Sequence, residues 1–584
     1  MAEKTGDGML SDFDLEGKNK LQKAVYYLKY YGVSYTFKKV LRKCGVPIRE
    51  ESEYMTWCRR NRASNADLKA QRADSGSKKF SFVIVSQNER EAEGAGWNKQ
   101  TCRRISFAEI TEQTTLTGLL KRQKEDVFVF SGGKIRVLPE YLYEITAALS
   151  GQGEQHISAI RPSNKRPVDL VYTDEDNSTG KKRIRPFFKP DASLQFLLNF
   201  PYLGRCFAVR RSLLEQLAES GEEIMLFGND WYDLSLQAVR FAEHICHLPK
   251  VLFSNLVEEA DKNAFVHSKQ EGNAACIEHY LQSEKIAGTV RKSDVPGFFH
   301  VETEGSGPEP LVSIIIPNKD HIEDLKLCLD SLREKSDYHN YEVIIAENNS
   351  EQPETFSYYE QLQKEDGRIH VVVWEGGFNY SAINNFAVKS AKGELFLFLN
   401  NDTEFMEGRT LRELVNSVLK PGVGACGAML YYGDNTIQHA GVIIGMGGFA
   451  AHALWSLTDR DEKYFPFSLC EREVSAVTGA CLMVRRAAYE KAGGMGEEFV
   501  VALNDVDFCL KIREAGYQIL FNPYAKLYHY ESKSRGYEDT ADKQARFAKE
   551  IGLFQERWKR EIEEGDPYYN PNLTLHRADY SMDI

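Results

Sequence analysis

Strand-length apolar runs alternate with amphipathic helical patterns along most of this chain, which predicts an α/β protein. The alternation fills two stretches, about 80–260 and 311–530, separated by the Pro/Gly-rich "GSGPEP" at 305–310. The two stretches also match each other in order, so one architecture is expected twice. "FSFVIVSQNE" lines up with "VSIIIPNKD", "DVFVFSGGKIRVLPEYLYEI" with "ELFLFLNNDTEFMEGRTLREL", and "GRCFAVRRSLLEQ" with "GACLMVRRAAYEK".

Composition narrows the classes. A length of 584 residues exceeds one ordinary core, and 42% hydrophobic with 27% charged residues is the balance of a soluble globular chain. A net charge of −12 argues against general nucleic-acid binding, which needs a basic surface. No apolar run approaches the roughly 20 residues that span a bilayer, and the polar N-terminus has no signal-peptide core. Eleven cysteines without a C-x-x-C pair fit a reducing compartment. A cytoplasmic protein is expected.

Residues 1–17 are acidic and unpatterned, and disorder is expected there. A helical segment follows over 18–76. Leu21, Val25 and Leu28 line one short helix, and Phe37, Val40, Leu41 and Cys44 a second, with a break near Gly32. Their other faces are rich in lysine, which fits either peripheral contact with an anionic membrane or a hairpin against the next domain. The first α/β domain is expected over 78–262, a connecting helix (268–289) and linker over 263–310, the second domain over 311–540, and a helix and tail over 541–584.

In the second stretch three polar clusters follow apolar strands, where open parallel sheets bind ligands. They are Pro317-Asn318-Lys319-Asp320, Glu347-Asn348-Asn349-Ser350 and Asn400-Asn401-Asp402-Thr403. Each alone equally fits a turn or helix cap. Between them a helix is predicted from an N-cap at Ser381 to Ala391, with Asn384 and Asn385 inside it against propensity. Asp505 and Asp507 precede an amphipathic helix, as caps or as chemistry, and His529 ends a further apolar strand.

Together "VSIIIPNKD", "VIIAENNS", "FNYSAINNFAV", "FLNNDTE", "IQHAGV", "VSAVTGACLMVRR", "LNDVDFCLKIREAGY" and "LYHYESKSRG" resemble the family 2 glycosyltransferases, of bacterial rhamnan or O-antigen assembly type. The resemblance implies two tandem GT-A-like domains (Rossmann-like nucleotide-diphospho-sugar transferases), a nucleotide-sugar donor, Mn²⁺ or Mg²⁺, and transfer with inversion. It implies that Pro317, Asn318, Asp320 and Glu347 cradle base and ribose, with Asn384, Asn385 and Asn401 near the nucleotide. Asp402 and His529 would bind the metal and Asp505 would act as general base. Asn400 stands where the family usually has an acidic residue, which lowers the charge of the site. His439 and His452 fall in acceptor-side positions. The implied reaction is transfer from dTDP-rhamnose or a UDP-hexose to a glycan or lipid-linked glycan of the bacterial surface; the alternatives are an inactive binding scaffold and a nucleotidyltransferase.

The first stretch lacks these groups. Ser131-Gly132-Gly133 stands at the metal motif, Ser254 at the place of His529, and Ser86-Gln87-Asn88 at the first strand end, while Asp174, Glu175, Asp176, Asp230 and Asp233 persist. A catalytically silent copy is expected.

Overall fold

A computed structural model describes residues 51–583 apart from 75–78, 89–93, 152–155, 159–166, 181, 222–223, 229–230, 260–269, 304, 306, 460–464 and 532–539. The expected helices of 18–44 and Asp230 lie outside the described residues.

Two mixed sheets organise the chain. The first holds β1 (Phe82–Ser86), β2 (Ile105–Glu109), β3 (Val127–Ser131), β4 (Ile135–Val137), β5 (Leu170–Thr179), β6 (Cys206–Arg210) and β7 (Ile245–Leu256), in the order β2-β1-β3-β6-β5-β7-β4. The second holds β8 (Val312–Asn318), β9 (Tyr341–Glu347), β10 (Ile369–Val373), β11 (Leu395–Leu399), β12 (Thr403–Phe405), β13 (Val423–Tyr431), β14 (Cys481–Arg485) and β15 (Gln518–His529), in the order β10-β9-β8-β11-β14-β13-β15-β12. Apart from the extra edge strand β10, the two orders correspond strand for strand. The senses agree as well: β6 and β14 each run against both neighbours, and β4 and β12 are antiparallel edges.

"LFLFL" shows why these runs become central strands. Leu395, Leu397 and Leu399 enter a core with Leu325 and Leu414, while Phe396 and Phe398 enter the opposite core with Tyr489 and Phe508. Both faces are covered, so the run needs no polar alternation. Burying each such side chain contributes roughly 1.5–3 kcal/mol.

The helices used below are α1 (Leu194–Asn199), α2 (Pro353–Glu365), α3 (Tyr380–Val388), α4 (Thr410–Leu419), α5 (Asn504–Glu514) and α6 (Ala541–Arg557). Helix α3 corrects the sequence expectation at both ends. Its cap is Asn379, whose side chain accepts from the Ala382 amide (3.0 Å), because the Ser381 hydroxyl turns away to Phe499 O. It also stops before Ala391. The expected helix of 268–289 is Gln270–Ser283, followed by an antiparallel hairpin (Gly288–Lys292 and Phe299–Thr303) whose short, exposed first strand carries little apolar signal.

The sheets are joined through buried polar contacts. Lys420 Nζ is paired with Glu471 and donates to Gln195 Oε1 (2.9 Å). Glu473 takes the Leu194 amide (3.0 Å), the Gln195 amide (3.2 Å) and the Ser193 hydroxyl at the start of α1. The C-terminal tail reaches both units: Asp566 accepts from Ile444 N (2.8 Å) in a small hairpin of the second, and Asn570 Nδ2 donates to Asp174 (3.0 Å) in the first. The ten described cysteines are buried and free, and no described helix is long and apolar enough to cross a membrane.

Candidate active site

Strands β9, β8 and β11 are adjacent and parallel, so the three polar clusters meet at one sheet edge. Asn318 ties them together. Its Oδ1 accepts from Asn401 Nδ2 (2.6 Å), and its Nδ2 donates to the Tyr359 hydroxyl (2.7 Å) on α2. Tyr359 in turn donates to Glu347 Oε2 (2.8 Å). Glu347 also holds the amide and hydroxyl of Ser350. Asp320 accepts from the amides of Glu351 (3.1 Å) and Gln352 (3.0 Å), leading into α2. Both carboxylates are therefore engaged in shaping the turns. Pro317 lies in register with Ala346, half-buried at the same edge.

Pairing of β12 with β15 sets Thr403 opposite His529 and so brings Asp402 to the imidazole. His529 Nε2 lies 3.2 Å from Asp402 Oδ1 and 3.1 Å from Asn400 Nδ2. On the other side of the ring, His529 Nδ1 is 2.6 Å from Gln438 Oε1. An amide oxygen only accepts, so the hydrogen-bond network places a proton on Nδ1, and Nε2 faces both Asp402 and the Asn400 amide nitrogen. With both residues buried, this imidazole nitrogen and carboxylate oxygen form a close pair of metal-ligand type. Adjacent ligands of an octahedral ion with bonds near 2.1 Å lie about 3 Å apart, so the pair fits a divalent ion.

A second group of ligand-type side chains, His300, Glu302 and Glu413, fits less well. Arg409 (2.8 Å) and Arg291 (2.9 Å) already neutralise Glu302, and His300 lies flat on Tyr524. It acts as an ion-pair hub joining the hairpin to α4.

The two aspartates of α5 separate clearly. Asp507 is fully buried, its Oδ1 accepting from Arg557 (2.9 Å) and Trp558 (2.9 Å). Asp505 is half-exposed; Oδ2 accepts from Gly479 N (2.8 Å) and Oδ1 from Val506 N (2.8 Å). The next residue, Ala480, takes the Asn400 amide at its carbonyl (3.0 Å), so segment 478–480 links the metal-motif turn to Asp505. Asn504 is buried and donates to Val501 O (2.9 Å).

Asn385 bonds the 495–497 loop through Met495 and Glu497, and the fully buried Asn384 donates to Tyr380 O (2.8 Å). Beside the site, His439 Nε2 accepts from Gly441 N (3.2 Å) and Thr478 N (3.4 Å). Burial, then His452, Arg472 and His529, hold it well below the ordinary histidine range, so it is neutral. His452 is bonded to Gln438 O (2.9 Å).

Strand register moves the two site assignments made for the first sheet, Ser131-Gly132-Gly133 and Ser254, by one residue. Gly132 N bonds Arg205 O as Asn400 N bonds Ala480 O, and Leu256 N bonds Lys134 O as Tyr530 N bonds Asp402 O. Gly132-Gly133-Lys134 thus replaces Asn400-Asn401-Asp402, and Asn255, not Ser254, takes the place of His529. A Cβ on Gly132 would lie 2.9 Å from the Trp231 indole nitrogen, so the indole occupies that position. The acidic run of β5 is buried and neutralised internally: Glu175 by Lys189 (2.8 Å), Asp176 by Arg183 (2.6 Å) and Asp174 by His247 (2.9 Å). Asp233 pairs with His279 (2.9 Å).

Gln438 and Tyr359 escaped the sequence reading. Gln438 lay inside "TIQHAGV", but nothing in the chain order connects it to residue 529; Tyr359 reads as an ordinary residue of an amphipathic helix.

The architecture is that of a mixed α/β protein with a polar strand-end site. Residues 313–493 match the model of glycosyl transferase family 2. It is 36% identical over 421 residues to the Uncharacterized protein y4gI of Sinorhizobium fredii, covering 71% of this chain and 46% of that one. To the O-antigen biosynthesis protein RfbC of Myxococcus xanthus it is 34% identical over 463 residues, covering 78% and 34%. A 126-residue segment is 29% identical to the N-acetylglucosaminyl-diphospho-decaprenol L-rhamnosyltransferase of Mycobacterium tuberculosis, covering 20% and 40%. The chain thus spans less than half the length of these relatives. Among solved structures, the mannosyltransferase PcManGT of Pyrobaculum calidifontis, in complex with GDP-Man and Mn²⁺, aligns over 46% of this chain and 69% of its own, with 18% identity and a TM-score of 0.34.

Proposed function

We propose that residues 311–540 form a GT-A-like catalytic domain that transfers a sugar, with inversion, from dTDP-rhamnose or a UDP-hexose to a glycan or lipid-linked glycan of a bacterial surface polysaccharide. The observation that carries this reading is the close approach of His529 Nε2 to Asp402, in a ring oriented by Gln438 and adjoining the segment that holds Asp505. Asp402 and His529 hold Mn²⁺ or Mg²⁺, which supplies Lewis-acid stabilisation of the departing nucleoside diphosphate. Asp505 accepts the proton of the acceptor hydroxyl as its oxygen bonds to the anomeric carbon and the bond to the diphosphate breaks. A single displacement inverts the centre.

Pro317, Asn318 and Asn401 line the nucleotide side in this proposal. Asp320 and Glu347 contribute by fixing the turns around the base and ribose, and Asn384 and Asn385 by anchoring α3. The matching strand orders support reading 78–262 as a degenerate copy. Lys134 where Asp402 stands, and Trp231 against Gly132, support its silence. The relatives named for O-antigen biosynthesis and rhamnosyl transfer support the polysaccharide assignment. A cytoplasmic site of action completes the proposal.

A thermal-shift panel of nucleotide sugars with and without Mn²⁺ tests it, because a ligand that binds only the folded state raises its stability. A metal-dependent shift with slow donor hydrolysis is expected. Binding without turnover would make the chain a scaffold.

A further inference from the structure

Glu550 on α6 lies beyond the matched segment 313–493, yet it points back into the loop that delivers Asp505. Its buried carboxylate takes three consecutive backbone amides: Oε1 accepts from Val500 (2.8 Å) and Val501 (3.0 Å), and Oε2 from Ala502 (3.1 Å). Leu503 follows with φ 61°, a left-handed turn that a bulky side chain adopts only under constraint, and α5 begins at Asn504. Four residues into the helix, Asp507 is gripped by Arg557 and Trp558 from the far end of α6. Arg557 also bonds Glu498 on the incoming loop. Asp505 therefore sits between two attachments to one C-terminal helix, while its own carboxylate remains half-exposed.

We propose that Glu550 is a positioning residue for transfer: its carboxylate, acting through amides 500–502, fixes the start of α5 and hence the direction in which Asp505 presents its oxygen. Arg557 and Trp558 fix the same turn from the other side. The inference rests on Asp505 being the general base, and its test separates the two claims.

Full-length Glu550→Ala, Glu550→Gln and Asp505→Asn are compared with the parent. Turnover is read as hydrolysis of UDP-glucose or dTDP-rhamnose, whichever gives the larger thermal shift, and donor binding is probed with UDP or dTDP plus Mn²⁺. Parental turnover in Asp505→Asn would sink the base assignment, and with it this inference. With Asp505→Asn inactive, Glu550→Ala is expected to lower kcat by about 10²-fold while nucleotide affinity stays within about twofold, the signature of a displaced catalytic group. Glu550→Gln, which still offers an oxygen to amides 500 and 501, is expected to recover most of the rate and to restore slow amide exchange over 500–503. A parental kcat in Glu550→Ala, or an equal loss of kcat and nucleotide affinity, would overturn the proposal. If Glu550→Ala does not fold, Trp558→Phe, which keeps an aromatic ring but drops the N–H to Asp507, is read by the same two outcomes.

Discussion

Gln438 decides which nitrogen of His529 carries its proton. Without that amide oxygen the ring is free to rotate or to place its proton on Nε2, and the orientation that turns Nε2 to Asp402 is lost. Partners of this kind typically change metal affinity 10–100-fold. Gln438→Leu is therefore expected to weaken Mn²⁺ binding by about that factor, measured by Mn²⁺ titration in the presence of UDP, with little change in metal-free nucleotide affinity. Local contacts likewise distinguish Asp505 from Asp507, which the sequence presents as near-equivalents at one helix start. Desolvation and two donors on Oδ1 reserve Asp507 for architecture, leaving Asp505 with a face toward solvent.

Elements add what residues alone lack, a common edge. The strand β11 and the polar turn after it were legible because five apolar residues buried on both faces leave a strong signal, and the oxygen-rich turn follows at once. The convergence of residues 318, 347 and 401 followed from strand parallelism, which the β–α alternation predicts. The one-residue offset in the first sheet was legible only in part. Pairing "DVFVFSGGK" with "ELFLFLNND" already sets Lys134 against Asp402, whereas Asn255 in place of Ser254 is revealed only by the ladder between β4 and β7. Pairing also explains why an acidic run survives in β5: His247 on β7 bridges Asp174 and Asp191. Burial alone would push this imidazole down, but the two carboxylates outweigh it and raise it to about 9. A raised histidine stabilises fully below its unfolded value near 6.5, and this contribution disappears as pH climbs through about 9. Urea midpoints are thus expected to fall between about pH 7 and pH 10, and less steeply in His247→Gln than in the parent.

Across the whole molecule, the first sheet is tied to the second by buried charge and by the C-terminal tail. Lys420, Glu471 and Gln195 meet where α1 of the first unit touches the second. Lys420→Met would leave Glu471 without its ammonium in a buried site, a change that costs roughly 3–5 kcal/mol. Guanidinium unfolding should shift accordingly, with early loss of contact between the sheets. The tail residues 566–572 reach Ile444, Asp174 and Pro249, so its docking depends on both units being in place. This long-range closure was invisible in a Pro/Tyr/Asn-rich sequence, whose few apolar residues give no periodicity.

The account turns on a divalent ion held by one carboxylate and one imidazole. Isothermal titration of UDP or dTDP into the parent and into Asp402→Asn, each with and without Mn²⁺, tests it most directly. The parent should bind at least about tenfold more tightly with Mn²⁺, and Asp402→Asn should lose that gain while keeping the metal-free affinity. An unchanged Mn²⁺ dependence in Asp402→Asn would contradict the account.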